Sequence, residues 1–144
     1  MQQITYLITD EKELYKVDKL RKKVFGFENI NSFYFLNQLL INEYKAYATK
    51  INGEIVAGCY FHEFEHSLII EQLFVKESYQ ETGAKLGRKL LLELIKSKKE
   101  LEKLLNAELV RCKVEPYDEK AEYIYKEIGF RYPNKNSISL FKSL

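Results

Sequence analysis

The chain has 144 residues, of which 46% are hydrophobic and 31% charged, a composition typical of one globular domain with a real core. Its 23 basic and 21 acidic residues give a formal net charge of +2, which is too balanced to indicate a nucleic-acid or membrane partner. No apolar run reaches the roughly 18 residues that a membrane helix needs, and we expect no signal peptide at the first residues.

The first elements predicted along the chain are one strand and two helices. An apolar strand at residues 4–8 is followed by Thr9 and Asp10, either of which can cap a helix with its side-chain oxygen. Apolar residues then recur at helical spacing until Gly26, which is predicted to end this helix. A second, aromatic helix is predicted from residue 33 to about residue 43.

Three strands are predicted next. Residues 46–51 and 54–64 form a hairpin, because Asn52-Gly53 favours the positive φ angles of a tight turn. The third strand, residues 67–75, follows a second turn and is apolar on both faces, which is typical of a strand covered on both sides.

The two cysteines, Cys59 and Cys112, lie in strand-like runs without the spacing of metal ligands. We expect buried, reduced thiols in a cytoplasmic protein, with no metal site. A disulfide is the alternative interpretation.

The second half of the chain predicts a long helix and then alternating strands and helices. The helix covers residues 83–105, with a solvated stretch or a break at 96–100; a strand at 109–115, a helix at 118–128 and a last strand at 137–141 follow. The order is β-α-α-β-β-β-α-β-α-β, in which three antiparallel strands precede a β-α-β crossover. This order predicts an α+β fold with a mixed sheet, and several folds share it.

The most informative motif is the helix end Tyr-Ile-Tyr-Lys-Glu-Ile-Gly-Phe at residues 123–130. Tyr125 lies in the last turns, Gly129 supplies the left-handed backbone that ends a helix, and Phe130 is predicted to open a strand. Together with the strand before it, this series resembles the C-terminal signature of the GNAT superfamily of N-acetyltransferases. The resemblance covers residues 4–140.

This resemblance implies the fold and a function. The fold would be an α/β/α sandwich formed by one GNAT-like domain over residues 1–144, with a mixed, mostly antiparallel central sheet, a splayed strand pair and helices on both faces. The function would be transfer of an acetyl group from acetyl-CoA to a primary amine by direct attack in a ternary complex, by a monomer or a homodimer. The alternative is a non-catalytic GNAT-like domain that binds CoA or a protein partner.

The resemblance also implies where acetyl-CoA binds. In the family, a strand ending in Leu-x-Val binds the pantetheine arm through its backbone, and Leu73-Phe74-Val75 occupies that place. The N–H of Phe74 or Val75 would polarise the thioester carbonyl. A glycine-rich turn and a helix N-terminus then bind the pyrophosphate.

The family turn, Arg/Gln-x-x-Gly-x-Gly/Ala, fits this chain in two ways. One alignment uses Gln80 and Gly83, and the other uses Thr82, Lys85 and Gly87. We favour an expanded turn that begins at Gln80 and uses both glycines. The alternative interpretation is that the glycines only permit close packing of the helix on the strand.

Asp118 stands where the family often has an asparagine that contacts the cofactor. A carboxylate accepts hydrogen bonds but does not donate them, and the position also predicts a helix N-cap. The residues implied to contact the cofactor are Leu73, Phe74, Val75, Gln80, Thr82, Gly83, Ala84, Lys85, Gly87, Arg88 and Asp118.

Two residues are predicted to catalyse the transfer. Tyr125 occupies the family position of the acid that protonates the departing thiolate; the alternative is a tyrosine that packs its ring. Glu71 interrupts an apolar strand, so we expect its carboxylate to be desolvated and to act as the base, as in diamine and polyamine acetyltransferases. The alternative is a glutamate at the solvent edge or in a salt bridge. His62 and His66 are interpreted as structural.

The acceptor site is expected between the two N-terminal helices and the central strands. Glu28 or Glu43 could attract a cationic amine, although aromatic residues on a helix face belong more often to a core. The aromatic candidates are Phe27, Phe33, Tyr34, Phe35 and Tyr44.

Overall fold

The structure is a computed structural model that describes residues 2–26, 32–80 and 85–144. Within these residues the chain forms six strands and six helices. In chain order, the elements are β1 (Gln3–Leu7), α1 (Glu11–Phe25), α2 (Ser32–Leu40), β2 (Lys45–Ile51), β3 (Glu54–Phe64), β4 (Ser67–Val75), α3 (Glu77–Gln80), α4 (Leu86–Lys96), α5 (Lys98–Leu105), β5 (Arg111–Val114), α6 (Glu119–Ile128) and β6 (Leu140–Ser143).

The strands form a mixed sheet whose order follows the chain, from β1 to β6. β1 is antiparallel to β2, and β5 is antiparallel to β6. β4 and β5 are parallel, with pairs from Ser67 and Arg111 to Ile70 and Val114. A parallel pair needs a crossover, which the helical segment between these strands supplies. The mixed sheet with its helices confirms the predicted α+β fold.

Two-residue turns join β2 to β3 and β3 to β4. Asn52 and Gly53 have φ angles of 51° and 83°, which confirms the predicted hairpin. Glu65 and His66 also have positive φ angles, 48° and 66°; this conformation is uncommon outside glycine, although asparagine, aspartate and histidine adopt it more often than glutamate does. The Glu63 carboxylate accepts a hydrogen bond from the N–H of His66 at 2.9 Å and so stabilises this second turn.

The ends of α1 agree with the sequence prediction. Asp10 caps the helix, since its Oδ1 accepts a hydrogen bond from the N–H of Lys12 at 3.1 Å. At the other end, Gly26 has a φ of 68°, and its N–H donates to the carbonyl of Lys22. Both devices satisfy backbone groups that a helix end leaves without a helical partner.

The contacts divide the chain into two compact units. The first contains the described parts of Met1–Tyr60 and Gln72–Leu91, and the second contains Phe61–Glu71 and Leu92–Leu144. The prediction of one domain over the whole chain stays a prediction. The core of the first unit is formed by Ile8, Val17, Leu20, Leu39, Ala46, Ala48, Tyr60 and Phe74. Buried residues of the second unit include Leu68, Leu109, Cys112, Val114, Phe130 and Leu140.

Gly58 packs directly against two side chains of the first unit. A Cβ atom at this position would lie 2.6 Å from the ring of Phe74 and 2.7 Å from Cγ2 of Val17. Only glycine lets β3 approach these side chains so closely.

Cys59 and Cys112 are both buried, and no disulfide joins them. Burial raises the pKa of the Cys112 thiol to about 12, so this thiol stays protonated near neutral pH.

The helix predicted at 83–105 is two helices, and a short helix, α3, precedes them. The predicted break is confirmed at Ser97, whose hydroxyl donates to the carbonyl of Glu93 at 2.9 Å. Such bonds between a serine side chain and the preceding turn bend helices. Similarly, α2 ends at Leu40 rather than near residue 43, because Asn42 adopts a left-handed φ of 66°.

The C-terminal strand also differs from the prediction. β6 covers Leu140–Ser143 instead of 137–141, because Ser137 Oγ donates to the carbonyl of Ser139 at 2.8 Å and holds a local turn there. Phe130 opens no strand; it precedes an isolated bridge between Arg131 and Phe141. β5 is shorter than predicted and begins at Arg111.

Candidate functional site

β4 extends beyond its pairing with β5. The strand has nine residues, and only the first four, Ser67 to Ile70, are paired with β5. Residues 71–75 therefore continue past the last pair, Ile70 with Val114. The predicted base, Glu71, and the predicted Leu73-Phe74-Val75 segment all lie on this extension.

The first turn of α4 packs against the end of this extension. A Cβ atom on Gly87 would lie 3.4 Å from Cγ2 of Val75 and 3.9 Å from Cδ2 of Leu73. Both distances are ordinary van der Waals contacts, and Gly87 is not among the glycines with positive φ. Close packing on β4 therefore accounts for the position of Gly87 but does not require a glycine there.

Gln80 ties the segment after β4 back to the strand. Its Nε2 donates to the carbonyl of Val75 at 2.7 Å. The residue closes α3, in which the N–H of Tyr79 donates to the carbonyl of Lys76 at 2.8 Å. The side chain of Gln80 thus links the last residue of α3 to the end of β4.

Lys85 marks the start of α4. It has a left-handed φ of 50°, and its carbonyl accepts the N–H of Lys89 at 3.0 Å. Leu86 and Gly87 come before Lys89, the first donor of the helix, so their N–H groups have no acceptor one turn earlier within the helix. Together with the helix dipole, they make this end of α4 electropositive, and Arg88 adds a cationic side chain to the same turn.

Five predicted residues lie outside the described part of the chain. They are Thr82, Gly83 and Ala84 of the predicted phosphate turn and Phe27 and Glu28 of the predicted acceptor site. The choice between the two turn alignments therefore stays a prediction.

Glu71 contacts His62 on the neighbouring strand. The Nε2 atom of His62 lies 2.8 Å from Oε1 of Glu71, and the two side chains are 22% and 30% exposed. This environment differs from the apolar, desolvating one that the sequence predicts for Glu71. The contact between His62 and Glu71 was not predicted from the sequence, although the two-residue turn at 65–66 indicates it. Counting back from that turn sets His62 opposite Ile69, diagonally across from Glu71.

Tyr125 is 5% exposed and belongs to the second unit. Its ring lies 5.8 Å from the ring of Phe130, and its carbonyl accepts the N–H of Phe130 at 3.0 Å. Gly129, with a φ of 113°, turns the chain so that these two rings meet. The tyrosine therefore packs its ring, and its role as an acid stays a prediction.

Asp118 caps α6. Its Oδ1 accepts the N–H of Ala121 at 2.8 Å, which confirms the predicted N-cap. A contact between Asp118 and the cofactor stays a prediction.

A buried polar cluster in the first unit was not predicted. Asp18 and Arg21 of α1 are 1% and 0% exposed. Oδ1 of Asp18 accepts from Nε of Arg21 at 2.9 Å and from the hydroxyl of Tyr60 at 2.8 Å. Burial, and then the charge of Asp18, raise the pKa of Tyr60 well above its ordinary value.

The aromatic residues of the predicted acceptor site divide between core and surface. Phe35 lies against this cluster, with the Arg21 guanidinium 4.7 Å from its ring centre. Phe33 is 61% exposed, and the hydroxyls of Tyr34 and Tyr44 lie 3.3 Å apart at the surface. Contact of these residues with an acceptor stays a prediction.

A family model described as the acetyltransferase (GNAT) family matches residues 7–130. The chain belongs to the GNAT acetyltransferase family. Among the described residues of this GNAT protein, no group of three His, Cys, Asp or Glu side chains could hold a metal ion. Over the same residues, no helix is long and apolar enough to cross a membrane.

Solved structures share the GNAT fold over nearly the whole chain. The PaiA N-acetyltransferase of Thermoplasma acidophilum, in complex with coenzyme A, is 14% identical over 100% of both chains, with a TM-score of 0.69. The ribosomal-protein-S18-alanine N-acetyltransferase of Escherichia coli is 19% identical over 99% of this chain and 93% of its own, with a TM-score of 0.69. AtaTR bound with AcCoA is 22% identical over 98% and 92%, with a TM-score of 0.71. Among curated protein sequences, the comparison finds no match.

Proposed function

We propose that this GNAT protein is a cytoplasmic N-acetyltransferase that transfers the acetyl group of acetyl-CoA to a primary amine, by direct attack in a ternary complex. The observation that carries the proposal is the end of β4. Residues 71–75 continue past the pairing with β5, and the first turn of α4 packs against Leu73 and Val75. One short segment thus supplies both an extended strand and a helix N-terminus.

The end of β4 suits the pantetheine arm of acetyl-CoA. The N–H of Lys76 donates to the carbonyl of Val56 on β3 at 2.8 Å. Gln80 bonds the carbonyl of Val75, and only a backbone N–H can donate to the thioester carbonyl, so we assign the N–H of Val75 to polarise it.

The start of α4 suits the pyrophosphate. The N–H groups of Leu86 and Gly87 lie in the first turn, where the helix dipole favours an anion. Lys85 and Arg88 add positive charge at this end of the helix. Since packing does not require a glycine at residue 87, we attribute the glycine to close approach of the ligand to the backbone.

The chemistry requires an amine without its extra proton and a protonated leaving thiol. Acetyl-CoA supplies the acetyl group and the thiolate. We assign Glu71 to accept the proton of the amine, because its side chain is reachable from solvent and sits at the start of the strand extension. We assign Tyr125 to donate its hydroxyl proton to the thiolate, as its position in the family motif implies.

The relatives support the cofactor but not an acceptor. The Thermoplasma enzyme was crystallised with coenzyme A and AtaTR with AcCoA, and both share this fold. The acceptor in the Escherichia coli relative is an alanine of a ribosomal protein. At 19% identity that likeness shows the fold, so the acceptor proposed here is the class of primary amines only.

Titration with acetyl-CoA tests the proposal first. We expect saturable binding by calorimetry and a raised melting temperature, since a ligand at about 100 times its Kd stabilises the folded state by about 2.7 kcal/mol. Absence of both effects at millimolar acetyl-CoA would overturn the proposal.

Release of free CoA in the presence of a panel of primary amines tests the reaction. We expect Glu71→Gln to lower kcat about 100-fold to 10,000-fold with unchanged affinity for acetyl-CoA, which is the usual contribution of a general base. Glu63→Gln, on the neighbouring strand, is the matched control and should leave kcat unchanged. Binding of acetyl-CoA without turnover of any amine would favour the non-catalytic GNAT-like domain instead.

A further inference from the structure

The contact between His62 and Glu71 joins the proposed base to a second titratable side chain. Nε2 of His62 and Oε1 of Glu71 are 2.8 Å apart, on strands β3 and β4. Glu71 is the first residue after the last pair between β4 and β5, Ile70 with Val114. The histidine therefore holds the carboxylate where the strand extension begins.

The two oxygens of Glu71 differ in their partners. Oε1 bonds to His62, whereas Oε2 accepts no hydrogen bond within residues 2–26, 32–80 and 85–144. The side chain is 30% exposed, so it is neither sealed in the core nor surrounded by solvent. One oxygen is thus fixed by the protein and the other is available to a ligand.

The direction of this hydrogen bond follows from its chemistry. An ionised carboxylate only accepts, so the proton must be on Nε2 of His62. The neutral ring with its proton on Nε2 and the protonated ring both satisfy this requirement. The bond therefore needs only the Nε2–H donor and no proton transfer from the ring.

We propose that His62 is a positioning residue for acetyl transfer, which rests on the proposed function of Glu71 as the base. The Nε2–H donor holds Oε1 and fixes the carboxylate so that Oε2 meets the ammonium group of the acceptor. The proton of the ammonium moves to Oε2: its N–H bond breaks, an O–H bond forms, and the nitrogen keeps the electron pair that attacks the thioester. His62 keeps its own proton, and Glu71 afterwards releases the accepted proton to water.

Two substitutions at His62 distinguish the effect of its N–H donor from that of its imidazole ring. His62→Ala removes the donor, and we expect kcat to fall about 10-fold to 100-fold, the usual effect of a misplaced catalytic group. His62→Gln places an amide N–H near the position of Nε2, and we expect kcat within about 5-fold of the native value. His66→Ala, at the exposed second histidine, is the matched control and should leave kcat unchanged.

A double-mutant cycle distinguishes positioning from a purely structural contact. If His62 acts through Glu71, the double variant His62→Ala/Glu71→Gln should be no slower than Glu71→Gln alone. The KM for acetyl-CoA and the thermal unfolding midpoint should stay near native values in every variant, because the pair is partly exposed.

The contrary outcomes are specific. Native kcat in His62→Ala would overturn this inference and leave the proposed function intact. Loss of activity in His62→Gln equal to that in His62→Ala would also overturn it, because the imidazole itself would then transfer the proton. Additive losses in the double variant would show that His62 does not act through Glu71. Absence of turnover by the native protein on every amine would overturn the proposed function, and this inference with it.

Discussion

Two polar clusters, each with one member on β3, differ sharply in burial. In the first unit, Tyr60 bonds to Asp18, which also binds Arg21, and the two charged residues are 1% and 0% exposed. In the second unit, His62 bonds to Glu71, and about a quarter of each side chain is exposed. Both clusters contain a carboxylate held by a neighbouring donor.

The difference shows what burial does to a carboxylate. A charge sealed in the core has lost its water, so its fixed partners become necessary for folding and no solute reaches it. A partly exposed charge contributes little to stability, and one of its oxygens stays available to a ligand. We therefore assign the first cluster to the fold and the second to the reaction. The substitutions below test that division.

The largest effect is expected for Asp18→Ala. This change leaves the buried Arg21 guanidinium without its carboxylate, and breaking a buried pair costs about 3–5 kcal/mol. Urea denaturation measures the loss. Lys22→Ala is the matched control, because Lys22 is partly exposed and lies 3.5 Å from the other oxygen of Asp18; it should cost less than about 1 kcal/mol. Equal losses in the two variants would contradict the assignment of Asp18 to the fold.

Gly58→Ala should destabilise the first unit through packing alone. The new Cβ would lie 2.6 Å from the Phe74 ring, and overpacking of this kind costs about 1–3 kcal/mol. Gly87→Ala is the comparison, since its Cβ would meet nothing closer than 3.4 Å. Thermal unfolding should show a lowered midpoint for the first variant and an unchanged or slightly raised one for the second. A Gly58→Ala protein as stable as the native one would show that β3 can move away from Phe74.

Local backbone signals explain how much of the fold could be predicted. Asn52-Gly53, Asp10, Gly26 and Gly129 each act within one turn of chain, so the elements that they bound were predicted correctly. The element ends that were predicted wrongly are set by weaker sequence signals. Asn42 ends α2 early because its backbone is left-handed. The hydroxyl of Ser97 interrupts the long helix, and that of Ser137 holds a turn, so that β6 begins later than predicted.

The polar clusters depend on contacts between elements, which a single sequence does not display. Asp18 and Arg21 look like a solvated pair on a charged helix until Tyr60 and Phe35 are seen to cover them. The GNAT resemblance drew attention to Glu71, but its partner His62 follows only from the hairpin register. Family resemblance thus located the strand, and cross-strand geometry supplied the contact.

Tyr60→Phe tests the buried cluster through pH. Burial and Asp18 raise the pKa of Tyr60, so above about pH 10 the unfolded tyrosine ionises while the folded one stays neutral. The folded state then binds more protons than the unfolded state, and stability must fall as pH rises, by about 1.4 kcal/mol per pH unit for this group. The phenylalanine variant lacks this slope.

We expect Tyr60→Phe to be about 1 kcal/mol less stable at pH 8, because Asp18 loses one hydrogen bond. The difference in unfolding free energy between the variant and the native protein should become smaller between pH 10 and pH 11. Urea denaturation at both pH values measures it. A constant difference would mean that Tyr60 ionises equally in the folded and unfolded states.

The smallest effect on stability is expected for Glu71→Gln. The amide keeps the shape of the side chain, and the lost charge is partly exposed, so the free energy of unfolding should change by less than about 1 kcal/mol. Urea denaturation measures this, with Asp18→Ala as the contrasting variant. A loss above about 2 kcal/mol would place Glu71 with the structural carboxylates. A small loss of unfolding free energy in Glu71→Gln, together with a large fall in kcat, would distinguish the two clusters. Glu71 would then serve the reaction without being needed for folding, whereas Asp18 would be needed for folding.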